Sequence, residues 1–316
     1  MANETLSRRG FIELALAAVA ALPRQAETAP RLPHRLLGRT GVQVPILGFG
    51  CGTRFLGYPE EDAVSVLNRA IDSGITYLDT AASYGSGVSE TRVGAVMATR
   101  RREVFLATKI PARARSRDLA LEALEASLRR LRTDHVDLVH LHGLGDDDDL
   151  ARIEARDGAL QALYELREQK LARFVGMTSH SDGAVMAKAI ERHDLDCVQL
   201  AMNPARASRF EELALPAAQR KNLGVIVMKV TAQDRLLGDT PGLADVAELF
   251  AYAWSLPIST VVAGMPKLEH IDGNAAAARA FVPLPPAEME RLRERLAGRR
   301  TALEGFFASH RDGMPA

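Results

Sequence analysis

A carboxylate, a phenol, an ammonium and an imidazole stand at Asp79, Tyr84, Lys109 and His142, each at or just after the end of a short apolar run: ITYLD, FLATK and DLVHLH. An unperturbed phenol titrates near pH 10, too high to be well matched as an acid at neutral pH. A cation beside it favours the phenolate and brings it into range. Lys109 is the candidate cation, Asp79 the counter-ion that would hold it in a buried pair, and His142 a group that could polarise a substrate carbonyl or share the proton. Such a set suits proton delivery to an oxygen that gains negative charge as it reacts. Singly, each residue has a plainer explanation: Asp79 as a helix cap, Tyr84 as a turn aromatic, Lys109 and His142 as solvated strand ends. Core packing, however, does not require an ionisable residue at the end of three consecutive apolar runs.

The elements that must position these residues alternate in type. RLLGRTGVQVPILGFG, with its turn at Arg39-Thr40-Gly41, predicts a hairpin leading into a strand near Leu47. Helix is expected at about 61–73 and near 89–98. The runs ITYLD, EVFLATK, DHVDLVHLH, RFVGMTS, DCVQLAMN, GVIVMKV and STVVAG supply seven more strands, interleaved with helical patterns such as GALQALYELREQK and GAVMAKAIERH. Eight βα units predict an α/β chain folded as a (β/α)8 TIM barrel with an N-terminal hairpin and a C-terminal helix, its chemistry at the C-terminal face of the strands. An open doubly wound sheet would want a glycine fingerprint, and GFGCGT has Thr53 where the third glycine belongs.

The 316 residues are 47% hydrophobic and 25% charged, with Lys plus Arg and Asp plus Glu balanced at 40 each, which argues against nucleic acid or an acidic membrane as partner. Cys51 and Cys197 are too isolated for a zinc cage and fall towards opposite ends of the barrel, so two free thiols are expected. At the N-terminus, SRRGFIE runs into LALAAVAAL, too short for a membrane-spanning helix of about 20 residues. Ser-Arg-Arg followed by Phe-Ile resembles a twin-arginine (Tat) export signal. Residues 1–30 then read as signal and linker, residues 31–316 as the barrel, and the expected location is the periplasm, with the Tat machinery as a partner.

Taken in order, SGITYLDTAASYGSGVSETRVG, VFLATK, DLVHLH, GMTSH, VQLAMN and VVAGMPKLEHIDGN resemble the aldo/keto reductase superfamily across nearly all of the barrel, with Glu90 and Gly94 matching its signature. The resemblance implies reduction of a small-molecule carbonyl by a nicotinamide cofactor, usually NADPH, without a Rossmann domain. It implies Asp79, Tyr84, Lys109 and His142 as the catalytic set. Ser179, His180 and Gln199 match residues that meet the nicotinamide amide, Asn203 lies near them, and Met228 replaces a stacking tyrosine. Gly264, Met265, Lys267, His270 and Asn274 fall in the segment that holds the adenosine end. Pro266 stands where an arginine is usual, so NADH is possible and Lys267 is the best remaining contact for a 2′-phosphate.

Two other functions fit some of these residues. A barrel that binds the cofactor without turnover would act as a sensor or interaction module, against which the complete set of four argues. His140 and His142 share an inward face and could serve a metal-dependent hydrolase, but that class wants its pair on the first strand and an Asp ending the eighth, which STVVAGM lacks. His140 is expected beneath the site, orienting His142. The run Asp146–Asp149 is expected to be solvated near the substrate mouth, disfavouring anionic substrates if it acts. Loops after the fourth and seventh strands are short enough to predict an open pocket, and PPAEMERLRERLAGRR predicts an amphipathic helix on the barrel exterior.

Overall fold

The computed structural model describes residues 31–310. The proposed export signal therefore lies outside the described residues. An antiparallel hairpin, β1 (His34–Leu36) and β2 (Gln43–Pro45), turns through Gly38–Thr40 with Gly41 at φ 74°. Eight parallel strands follow: β3 (Leu47–Gly50), β4 (Tyr77–Asp79), β5 (Phe105–Ile110), β6 (Val136–Leu141), β7 (Ala172–Ser179), β8 (Cys197–Ala201), β9 (Gly224–Met228) and β10 (Thr260–Ala263). They close in sequence order, β10 pairing with β3, so the barrel reading holds and the open sheet does not. Among the described residues no helix is long and apolar enough to cross a membrane.

The barrel strands are buried almost throughout, as parallel strands covered by helices must be, with Arg173 near the start of β7 the exposed exception. Alternation sends Tyr77 and Asp79, or Phe105 and Lys109, into the interior while Leu78 and Leu106 meet the outer helices. The interior is layered. Below, Tyr77 stacks on Phe105 at 5.1 Å between ring centroids and Phe105 on Phe174 at 6.4 Å. Leu37 and Val44 of the hairpin join this cluster and plug the N-terminal end of the barrel. Above it lie the polar residues of the site.

Glu90 and Gly94 act at a distance from the chemistry. The helix Val88–Arg100 presents Glu90, fully buried, to Thr108 Oγ1 at 2.5 Å and to Arg130 Nε at 2.7 Å. A Cβ on Gly94 would lie 2.1 Å from the Arg130 carbonyl oxygen, so only glycine lets the helix Arg117–Leu131 approach this closely. Together they lock β5, and with it Lys109, against two helices. Cys51 and Cys197 are both free and buried, as expected, and burial raises both thiols well above their ordinary range.

The C-terminal region differs from expectation. Pro286–Leu296 is the predicted helix, with no side-chain cap, but a second helix, Arg300–Ser309, follows it. Phe306, Ser309 and His310 of that second segment line the main cavity instead of remaining on the exterior.

Candidate active site

The four candidate catalytic residues meet at the C-terminal mouth of the barrel. Lys109, fully buried, donates from Nζ to Asp79 Oδ2 at 2.6 Å, to the Thr80 carbonyl at 2.9 Å and to the Tyr84 phenol oxygen at 3.2 Å. Its ammonium also lies 4.8 Å from the Tyr84 ring centre. A buried ammonium with three oxygen partners leaves no donor unmatched, which is how such a charge persists inside a protein. Tyr84 is carried by the turn Tyr84–Gly87 after β4, its ring edge-on to His142 at 5.8 Å. His142 sits one residue beyond β6, and its amide donates to the Ile110 carbonyl at 3.0 Å.

Ser83 helps to orient His142, its Oγ lying 3.2 Å from His142 Nδ1. His140 does not serve that purpose. Its imidazole is fully buried one register step below, with neither nitrogen in a hydrogen bond among the described residues, and burial with the charge of Lys109 holds it well below the usual histidine range. It is therefore a neutral ring. A Cβ on Gly176 would come within 2.7 Å of it, so the glycine on β7 makes its space. Among the described residues no group of three His, Cys, Asp or Glu side chains is placed to hold a metal ion.

The acidic run is not simply solvated. Asp146 caps the helix Asp147–Glu154, Asp147 pairs with Lys188 at 2.7 Å, and Asp149 is buried against Arg115 at 2.7 Å. Arg115 in turn donates to the carbonyls of His142 and Gly143, both at 3.0 Å. Burial alone would raise the Asp149 carboxyl, but the bonds from Arg115 outweigh it and hold the group below its ordinary value. This contribution to stability is present above the unfolded carboxylate range, near pH 4, and lost as pH falls through the lower folded value. Asp149 thus braces the His142 loop while Asp146, Asp147 and Asp148 are exposed, and none of the four is among the described residues that line the cavity.

A cavity of about 940 Å³ opens beside these groups, at the upper end of the roughly 300–1,000 Å³ usual for ligand sites. It is lined by Asp79, Tyr84, Gln199, Met228, Gly264, His270 and Asn274 of the expected residues. Others stand back from it. Ser179 Oγ donates to the Leu144 carbonyl at 2.7 Å, Asn203 Nδ2 donates to the Lys229 carbonyl at 3.3 Å, and Met265 is core, its carbonyl accepting from Tyr58. His180 lies between the rings of His142 and His310, at 6.5 and 5.6 Å. Lys267 is exposed beside the lining residues Pro266 and His270 without lining the cavity itself. The loop after β9 is no open rim: Thr231, Gln233, Asp234, Arg235 and Leu237 line the cavity, and Asp234 pairs with Arg54 from the loop after β3.

These residues fit a nicotinamide cofactor on two counts. Gln199 Nε2 donates to Asp79 Oδ2 at 3.3 Å, while Gln199 Oε1 and Asp79 Oδ1 are buried with no hydrogen-bond partner among the described residues. Two such acceptors at a cavity wall call for a donor that the described residues do not supply, and an amide NH₂ would provide one. Comparison with known proteins gives the same direction. Residues 47–246 match the family model described as "Aldo/keto reductase family". The chain belongs to the aldo/keto reductase family. It is 30% identical over 212 residues to the uncharacterized oxidoreductase YqkF of Bacillus subtilis, a match covering 64% of this chain and 66% of that protein. It is 29% identical over 227 residues to a D-threo-aldose 1-dehydrogenase of a Pseudomonas species, covering 60% and 67%. The matched stretches thus span about two thirds of these relatives. Among solved structures, the aldo-keto reductase AKR11C1 from Bacillus halodurans in its holo form superposes with a TM-score of 0.68 at 26% identity, covering 84% of this chain and 96% of that one. An aldo/keto reductase from Klebsiella pneumoniae in complex with NADP and acetate gives 0.69 at 25% identity, covering 83% and 95%.

Sequence reading of this family member missed Ser83, Lys229 and His310. Ser83 falls within the quoted motif ASYG, where a serine beside the phenol gives a signal only once His142 is known to face it. His310 follows a second helix that nothing in the sequence ties to the mouth of the barrel.

Proposed function

We propose that this protein reduces an aldehyde or ketone to an alcohol with a nicotinamide cofactor, NADPH in the first instance and NADH as the alternative. The observation that carries the reading is the Asp79–Lys109–Tyr84 chain of contacts at a cavity wall that also presents Gln199. Tyr84 delivers the proton to the carbonyl oxygen. Lys109, fixed by Asp79 and Thr80, points its charge at the phenol oxygen and stabilises the phenolate left behind. His142, oriented by Ser83, serves as the second polar group on the carbonyl. A bound dihydronicotinamide would supply the hydride, and Gln199, Met228, Gly264, His270 and Asn274 are the residues that would hold the cofactor. The NADP complex of the Klebsiella relative supports NADPH. Consumption of NADPH and NADH with a panel of aldehydes, ketones and sugars tests the reading. It expects carbonyl-dependent oxidation of at least one cofactor, and none with either would refute it.

Export belongs to the same proposal. Arg8 and Arg9 are taken as a twin-arginine signal that sends the folded barrel to the periplasm, a route that would let it carry nucleotide already bound. Binding to the folded state alone would stabilise it in transit by mass action. Replacing both with Lys should retain an active enzyme of unchanged stability in the cytoplasm, and continued export of that variant would refute the signal.

A further inference from the structure

The helix Val88–Arg100 starts directly after the turn that carries Tyr84, and its first turn is fastened to the ends of three strands. Ser89 Oγ donates to the Cys51 carbonyl, one residue beyond β3, at 2.6 Å. That bond uses its only proton, so at 2.8 Å it accepts from Thr80 Oγ1, one residue beyond β4. Glu90 holds the third strand, accepting from Thr108 Oγ1 on β5 at 2.5 Å through one carboxylate oxygen. Its other oxygen accepts from Arg130 Nε at 2.7 Å. Ser89, Glu90, Thr80, Thr108 and Cys51 are all fully buried, where a bond left unmade is costly.

Both fastenings bear on groups that the phenol needs. Thr80 supplies the carbonyl that accepts from Lys109 Nζ at 2.9 Å, and its amide donates to the Ala107 carbonyl at 2.9 Å. Thr108 is the residue before Lys109, so alternation turns its hydroxyl out to Glu90 while the ammonium turns in to Asp79 and Tyr84. Between Tyr84 and the helix the chain passes through Gly85, Ser86 and Gly87, at φ 56°, 52° and 97°. Three left-handed residues in succession are uncommon, and Ser86 among them carries a side chain that disfavours the conformation. The phenol therefore rides on a turn whose far end is set by Ser89 and Glu90.

Resting on the carbonyl-reductase reading, we infer that Ser89 and Glu90 are positioning residues for the reaction. By fastening the helix to β3, β4 and β5 they set the 3.2 Å separation of the Lys109 ammonium from the Tyr84 phenol, and so the acid strength of that phenol. An ammonium this close favours the phenolate, and one that drifts away leaves a weaker acid. The other ionisable groups around the pair are Asp79 on β4, His142 beyond β6, the neutral His140 on β6, and Cys51 beyond β3, whose thiol is kept protonated by burial and the charge of Asp79. Arg130 faces Glu90 and keeps that carboxylate paired.

Thr108→Val tests this, since it removes the donor to Glu90 at nearly unchanged shape and keeps the Glu90–Arg130 pair. With 4-nitrobenzaldehyde and NADPH, the variant should lower kcat at neutral pH about fivefold and leave the dissociation constant for NADPH within about twofold. Reduction needs the phenol protonated, so kcat falls at high pH as it ionises, and the variant should move that fall up by about half a pH unit. Thr108→Ser, which keeps the donor, should hold both at the unmutated values, and Ser89→Ala should reproduce both changes. Should Ser89→Ala not fold, Thr108→Val decides alone. A lower melting temperature with kcat and the alkaline fall unmoved gives Ser89 and Glu90 a structural role only and overturns the inference. Ultraviolet difference titration against Tyr84→Phe reads the phenol without turnover and separates the two levels. An upward shift in Thr108→Val, with no aldehyde reduced, would keep the positioning and overturn the reductase reading. Reduction by the unmutated protein, with kcat and titration both indifferent to Thr108→Val, would do the reverse.

Discussion

Tyr84→Phe is expected to lower kcat for carbonyl reduction by about 10²–10⁴, the usual worth of a positioned general acid, while leaving the dissociation constant for NADPH within about twofold. The substitution removes one oxygen and keeps the ring. Tyr84 is almost wholly buried and packs edge-on to His142 and under the Lys109 ammonium, contacts that a phenylalanine ring retains. The hydroxyl loses its bond from Lys109 Nζ, and the ammonium keeps Asp79 and the Thr80 carbonyl. Stability should therefore change little, and the loss should appear in kcat with KM for the carbonyl compound almost unmoved. Single-turnover kinetics and fluorescence titration with NADPH measure the two quantities separately. Near-normal turnover in this variant would remove Tyr84 from the mechanism.

Lys109→Met should produce a loss of kcat/KM of similar size together with a fall in stability that Tyr84→Phe does not show. The side chain is fully enclosed, and its removal leaves the Asp79 carboxylate buried without its cation. Breaking a buried pair by deleting one partner typically costs about 3–5 kcal/mol. The double variant Asp79→Asn/Lys109→Met distinguishes folding from chemistry. It has no uncompensated charge, so urea unfolding should show it recovering much of the lost stability, whereas activity should stay at the level of the single variant. Recovery of activity along with stability would mean that Lys109 matters only for the fold.

The four candidate catalytic positions were legible in the sequence because three of them mark the ends of apolar strands, and a parallel barrel brings all such ends to one rim. Gln199, Met228, Gly264, His270 and Asn274 were found through resemblance to a family, since spacing alone gives no reason to select them. Ser179, Asn203 and Met265 match the same pattern but brace loops or fill core in this chain, a difference that depends on side-chain direction. Within the acidic run Asp146, Asp147 and Asp148 are exposed as expected, and only Asp149 departs, because Arg115, more than thirty positions away, folds back onto it. His140 was misread for the opposite reason. Alternation correctly turned it inward, but the space left by Gly176 on the neighbouring strand places it in an isolated pocket under the site. The part played by the C-terminal helix was the least legible, because what joins His310 to Lys229 is a meeting of segments 81 residues apart.

The most direct test of the central claim follows an isotope. Protein incubated with an accepted aldehyde and NADPH deuterated on the transferring face of its nicotinamide C4 should yield an alcohol one mass unit heavier, with the deuterium on the carbinol carbon and one label transferred per cofactor oxidised. Alcohol formed without label, or cofactor oxidised without alcohol, would contradict direct reduction of a carbonyl at the Tyr84 site.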